Sequence, residues 1–290
     1  MLLFRGMRLL ILLPVYEPEA RIAPKTLNRF LELAGEHDIS LHITDDASPQ
    51  FIGNALQTEF SDRISFIHVE RLERSAGYLG TSERTLSALS WAASRVDHYD
   101  YVLRLDCDVH FLGDGLTKLL RSPALPRTGM VGPRVKMRSK DFAAVLLDLL
   151  PFGYRRTPGQ NGLTKEITAS RLTPVWWSKP GRAALANGWW REVVVGAFQL
   201  MSAETLKTIS ESGYLNICRS RTGLIFQDDV LTTMLVRAIG HPVLDCAEMD
   251  LPFTMFLPSN STEDAVRASG KVLLHPLKDT DWANRIRDLT

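Results

Sequence analysis

Along residues 1–111, short apolar runs alternate with longer stretches of helical spacing. Leu9–Leu13 is an unbroken apolar run and reads as a buried strand. Pro14 to Pro18 follows as a loop whose prolines set its course. Between Pro24 and His37, the residues Leu27, Phe30, Leu31 and Ala34 recur at helical spacing, with Pro24 at the start. Ile39–Thr44 alternates apolar and polar as a strand does, and Asp45-Asp46-Ala47-Ser48-Pro49 ends it. Ile52–Phe60 predicts a second helix and Ile64–Val69 a third strand. Thr81–Arg95 predicts a long amphipathic helix, with Leu86, Leu89, Ala93 and Val96 inward. Val102, Leu103 and Leu105 then mark a buried strand within Tyr101–Phe111. This alternation predicts an α/β fold, a parallel sheet covered by helices.

The pattern loosens afterwards. Leu116–Arg121 reads as a short helix, and Gly129–Gly132 opens another strand. Phe142–Phe152 is strongly apolar, and Tyr154-Arg155-Arg156 follows it. Gly153 to Asn187 carries Pro, Gly and Trp without periodicity and is expected to form long functional loops. Val193–Leu200 reads as one strand-like run, followed by a helix over Ala203–Glu211. Phe226–Gly240 predicts a helix with Asp228 and Asp229 in its first turn, where the dipole favours acids, and Gly240 at its end. No internal repeat interrupts the chain, and 1–290 is expected to form a single domain.

Composition narrows the function classes. The 290 residues are 45% hydrophobic and 23% charged, which is ordinary for a globular protein. A net charge of +1 gives no bulk attraction to nucleic acid or anionic lipid. Cys107, Cys218 and Cys246 are far apart and odd in number, which argues for a reducing compartment, hence a cytoplasmic location. Leu9–Leu13 is followed by prolines instead of small cleavage-site residues, so it reads as a strand and not a signal peptide. No stretch approaches the roughly 20 apolar residues that span a bilayer.

The candidate chemistry sits at strand ends. Asp106 and Asp108 flank Cys107 just past the fourth strand, where ligands bind in open α/β sheets. Two acids placed there can hold a hard divalent cation, and the cation a phosphate. Asp45-Asp46 and Ala76-Gly77 lie at the ends of neighbouring strands. There is no Gly-x-Gly-x-x-Gly after the first strand and no Gly-x-x-x-x-Gly-Lys-Ser/Thr, so neither a dinucleotide nor a P-loop site is supported.

Together these residues resemble an inverting, metal-dependent glycosyltransferase of the GT-A fold, close in pattern to the large family 2 of such enzymes. Pro14-Val15-Tyr16 resembles the family's opening loop, and Asp45-Asp46-Ala47-Ser48 its Asp-Asp-Gly-Ser, with Ala for Gly. Ala76-Gly77 with Ser82-Glu83-Arg84 is similar to its Gly…Ala-Arg-Asn stretch, with Thr85 where the Asn stands. Asp106-Cys107-Asp108 matches Asp-x-Asp, and Val195-Gly196-Ala197-Phe198 resembles the acceptor-side segment. Gln227-Asp228-Asp229 matches the Glu-Asp motif, with Asp228 in the Glu position. The resemblance spans most of the chain, but residues 138–190 match nothing in it.

The resemblance implies a nucleotide-sugar-binding half, 1–111, merged with an acceptor-binding and base-carrying half, 112–290. The donor it implies is a nucleoside-diphosphate sugar, UDP-linked most commonly, and the cofactor Mn²⁺ or Mg²⁺. Asp108 is the expected direct metal ligand, with Asp106 on the metal or the donor ribose and His275 completing the shell. Asp229 is the expected general base and Asp228 its helper. Pro14, Tyr16 and Asp45 would line the nucleobase pocket, Asp45 accepting from a uracil-like N–H, while Asp46 would hold up the loop. Gly77, Arg84 and Lys278 would meet the diphosphate, with Arg71 and Arg74 as competitors. The acceptor is expected to be a saccharide, lipid-linked or other hydroxyl. Trp176, Trp177, Trp189 and Trp190 are either its platform or core. Phe142–Phe152 with Arg155 and Arg156 is either a buried helix or a peripheral membrane contact. A retaining transferase, a nucleotidyltransferase and a non-catalytic sugar-nucleotide binder are the alternatives. The nucleotidyltransferase would want a Gly-rich loop that Pro14–Pro18 lacks.

Overall fold

Leu9 to Leu13 are each at most 2% exposed, which is what an unbroken apolar run in a two-sided sheet demands. Leu9, Ile11 and Leu13 pack into one hydrophobic layer, Leu10 and Leu12 into the other. They belong to β1 (Arg8–Val15), which pairs in parallel with β2 (Asp38–Asp45) and β4 (Tyr101–Leu105), while β3 (Phe66–Arg71) adds to the far side of β2. The structure, a computed structural model, describes residues 6–17, 21–48, 50–72, 77–137, 139, 155–156, 167–168, 178–218, 228–249, 251, 253–255, 265, 268–271 and 273–275.

Beyond β4 come β5 (His110–Phe111), β6 (Met130–Gly132), β7 (Arg134–Lys136), β8 (Arg155–Arg156), β9 (Ile167–Thr168), β10 (Glu192–Val194), β11 (Phe198–Ser202), β12 (Val243–Asp245), β13 (Phe253–Met255) and β14 (Leu273–His275). The central sheet has seven strands in the order β12-β6-β11-β4-β1-β2-β3. It is parallel except for β11, which runs against both β4 and β6. This is the mixed α/β architecture that the alternating pattern predicts. Helices Ala23–Ala34, Ile52–Phe60 and Gly115–Leu120 fill one layer. Gly77–Ala93, Ala203–Glu211 and Asp228–Ala238 fill the other.

Several boundaries differ from expectation for local reasons. The third strand starts at Phe66 and not Ile64, because the Ile64 N–H bonds back to Phe60 and closes the preceding helix. The long helix runs Gly77–Ala93; Leu86, Leu89 and Ala92 are buried, and Ala93 packs half-buried against the same cluster, as does Val96 beyond the helix. The run Val193–Leu200 is two strands in different sheets, β10 with β7 and β11 with β4, broken at Gly196. Gly153–Asn187 is not all loop: β8 and β9 pair antiparallel, and Ser178–Ala186 is a helix that Pro180 and Gly181 hid from the pattern. The last long helix is Asp228–Ala238, closed by Gly240 at φ 78°. Phe142–Phe152, Trp176 and Trp177 lie outside the described residues. Trp189 is core, 1% exposed, whereas Trp190 is open to solvent.

Candidate active site

The site grows from the end of β4. Its last residues continue into a tight turn, with the Asp106 N–H on the Ala197 carbonyl at 3.0 Å and the Val109 N–H on Asp106 at 3.3 Å. The Thr26 hydroxyl, from the first helix, reaches the carbonyls of Cys107 at 2.5 Å and Val109 at 3.1 Å. The Cys107 thiol donates to the Pro14 carbonyl at 3.2 Å. Cys107 is therefore a buried peg, and the acids either side of it are held by their backbone. Asp108 is buried, and Asp106 keeps part of its surface.

β5 follows this turn and pairs antiparallel with β14, Leu274 opposite His110. That pairing delivers His275 from far along the chain. Its Nε2 lies 3.1 Å from Asp108 Oδ1 and 3.6 Å from Asp106 Oδ2. One donor atom from each of Asp106, Asp108 and His275 falls within 4.8 Å of the others. Two carboxylates and an imidazole suit Mn²⁺, and the carboxylates also suit Mg²⁺, so the donor set fits a hard divalent cation. Burial pushes the Asp106 carboxyl above its ordinary range; Arg104 and His275 pull it down, while Asp228 and Asp108 push it up.

Asp228 and Asp229 open the helix Asp228–Ala238, whose Thr233 hydroxyl donates to the Asp229 carbonyl at 2.8 Å and accepts the Val194 N–H at 2.9 Å. That anchors the helix start beside β10. Asp229 Oδ1 accepts the Val230 N–H at 2.8 Å. Burial, then the charge of Asp228, raises the Asp229 carboxyl to about 6. Asp228 instead meets the guanidinium of Arg104, which also reaches Asp106 at 3.3 Å. Arg104 was missed in the sequence pattern. Its signal was present: it is the one charged residue inside the buried strand Tyr101–Leu105.

β1, β2 and β4 are parallel, so their C-terminal ends share one edge of the sheet. At the end of β2, Asp45 is fully buried, and its carboxylate accepts the N–H groups of Ser48 at 2.8 Å and Gly53 at 2.9 Å. Asp45 thus performs the loop-holding task expected of Asp46. Asp46 pairs with Arg84 at 2.6 Å. Ala47, where the resembled family carries Gly, has φ 48°, the left-handed region that favours Gly. Arg71 lies over the Phe51 ring and donates to the Ser48 carbonyl at 3.3 Å. Pro14 falls within β1, beyond its register with β4, and Tyr16 is half-buried just past the strand. Gly77 is the first residue of its helix, not a loop residue. Arg74 and Lys278 lie outside the described residues.

No family model matches the chain, and no curated protein matches it. Among solved structures, the chain is similar to the mannosyltransferase PcManGT from Pyrobaculum calidifontis in complex with GDP-Man and Mn²⁺, at 15% identity and a TM-score of 0.47. The match covers 83% of this chain and 55% of the other, so the chain spans about half the length of that neighbour.

Proposed function

We propose that this protein is a glycosyltransferase of the GT-A type that moves a sugar from a nucleoside-diphosphate sugar to a hydroxyl acceptor. One observation carries the reading: Asp106, Asp108 and His275 converge at the end of the central strand, and Arg104 links that cluster to the helix start that bears Asp229. Asp108 and His275 would hold a divalent cation, with Asp106 beside it. A bound Mn²⁺ or Mg²⁺ supplies Lewis-acid neutralisation of a departing diphosphate. Asp229 takes the acceptor proton: its desolvated carboxyl, near 6, is suited to general-base work at neutral pH. Asp228 is paired with Arg104, and its proximity to Asp229 adds to the rise of that carboxyl. A carboxylate base that acts directly on the acceptor hydroxyl fits inversion at the anomeric carbon.

The Asp45–Ser48 loop, Tyr16 and the Asp46–Arg84 pair form the side of the sheet edge on which the nucleotide rests. A UDP-sugar is the first donor to try, and a cytoplasmic setting agrees with Cys107 and Cys246 standing outside any disulfide. No described helix is long and apolar enough to cross a membrane.

The test is calorimetric titration of UDP, GDP and dTDP, each with and without Mn²⁺, on the wild type and Asp108→Ala. Metal-dependent binding of one nucleotide, lost in the variant, supports the reading and selects the base. Absence of all binding would overturn it. The anomeric configuration of the product, read by proton NMR on the preferred donor, decides inversion against retention.

A further inference from the structure

Strand β4 places Val102 and Arg104 on the face that carries the helix Asp228–Ala238. At an equivalent position a buried strand holds an aliphatic residue, and Arg104 is only 8% exposed. Burying a guanidinium is costly unless its charge and hydrogen bonds are met. Here the charge is met at Nη2 from two elements: Asp228, at the helix start, and Asp106, in the turn after β4. Arg104 also shapes a third. A Cβ at Gly196 would fall on its Nη1, 2.9 Å from Cζ and 3.1 Å from Asp228 Oδ2. A side chain at position 196 would push the guanidinium away from its two carboxylates.

We propose that Arg104 is a positioning residue: its Nη2 meets both Asp228 and Asp106, and so sets the distance between the base helix and the cation-holding turn. This rests on the transferase reading above. A lysine ammonium ends one bond short of Nη2 on a more flexible stem, so it cannot stand at the same point between the two carboxylates. The bridge therefore demands arginine, not merely positive charge. It also assigns Gly196 a reason, and removes Asp228 from the choice of proton acceptor.

The experiment uses Arg104→Lys, Asp228→Asn and the double variant, with Mn²⁺ plus UDP and GDP as binding probes and water as the acceptor in hydrolysis of the matching sugar donor. Arg104→Lys keeps a cation, and Asp228→Asn keeps a helix-start residue, so at least one should fold with a wild-type melting profile. The expected result is nucleotide affinity within a few-fold of wild type, hydrolysis slowed about 10- to 100-fold in each single variant, and a double variant no slower than the worse single. Wild-type hydrolysis in a folded single variant, or losses that multiply in the double, would overturn the bridge. Failure of the wild type to bind either nucleotide with Mn²⁺ would overturn the transferase reading itself, a different outcome from a wild type that binds and turns over beside unaffected variants.

Discussion

His275 Nε2 stands 3.1 Å from Asp108 Oδ1, brought there by the antiparallel pairing of β14 with β5. The pairing makes the end of the chain part of a site that begins at the central strand. An imidazole beside carboxylates also biases the site toward Mn²⁺ over Mg²⁺, because Mg²⁺ prefers oxygen alone.

His275→Ala should therefore weaken Mn²⁺ binding by about tenfold or more, judged against the 10- to 100-fold typical of supporting residues, and weaken Mg²⁺ binding less. Electron paramagnetic titration of Mn²⁺, with Mg²⁺ as competitor, measures both. Equal loss for the two ions would show that His275 acts only as packing.

Asp229 gives the pH dependence its sign. Its folded carboxyl titrates at about 6 against an ordinary 3.8, so the folded protein holds this proton more tightly than the unfolded chain. The associated stability is full below the unfolded value and is lost as pH rises through about 6. Asp229→Asn should flatten that fall in the urea midpoint. Turnover should run the other way, rising through pH 6 to a plateau as the base ionises, and the Asn variant should lose about a hundredfold or more.

Asp45 holds the β2 loop through the N–H groups of Ser48 and Gly53, at a position with no exposure. Asp45→Ala leaves both donors buried and should cost roughly 2–5 kcal/mol in urea denaturation, with no nucleotide present. A loss seen only as weaker nucleotide binding would assign Asp45 to the base instead.

Gly132, at the end of β6, lies against β11: a Cβ there would overlap the Phe198 carbonyl oxygen and Val194 Cγ1. Backbone cannot yield as a side-chain tip can. Gly132→Ala should destabilise by about 1–3 kcal/mol, measured by chemical denaturation. A variant as stable as wild type would mean the sheet is looser here than its register implies.

Much of the sheet was legible because its strands are buried on both faces. Leu9–Leu13 and Tyr101–Leu105 can hardly be read otherwise, and Asp106 and Asp108 mark a strand end by their abruptness. What escaped the pattern depends on contacts between distant segments. Arg104 sits amid apolar neighbours, and its place is explained only once Asp228 arrives to join Asp106 against it. The break in Val193–Leu200 is written in a glycine whose need arises from that same arginine. That Asp45 and not Asp46 holds the loop turns on which carboxylate points inward, which adjacent identical residues do not reveal.

The reversed strand β11 sets the order in which the protein can be made. Once Tyr101–Leu105 has left the ribosome, β4 can pair with β1 on one side, while its other neighbour, Phe198–Ser202, lies about a hundred residues further on. A nascent chain at that stage carries a bare edge of unpaired N–H and C=O groups, between apolar side chains, open to a second chain. Completion of that edge waits for Phe198–Ser202. A chain cut after Phe111 should accordingly aggregate, and the full protein should depend on a holding chaperone during translation more than its finished surface would suggest.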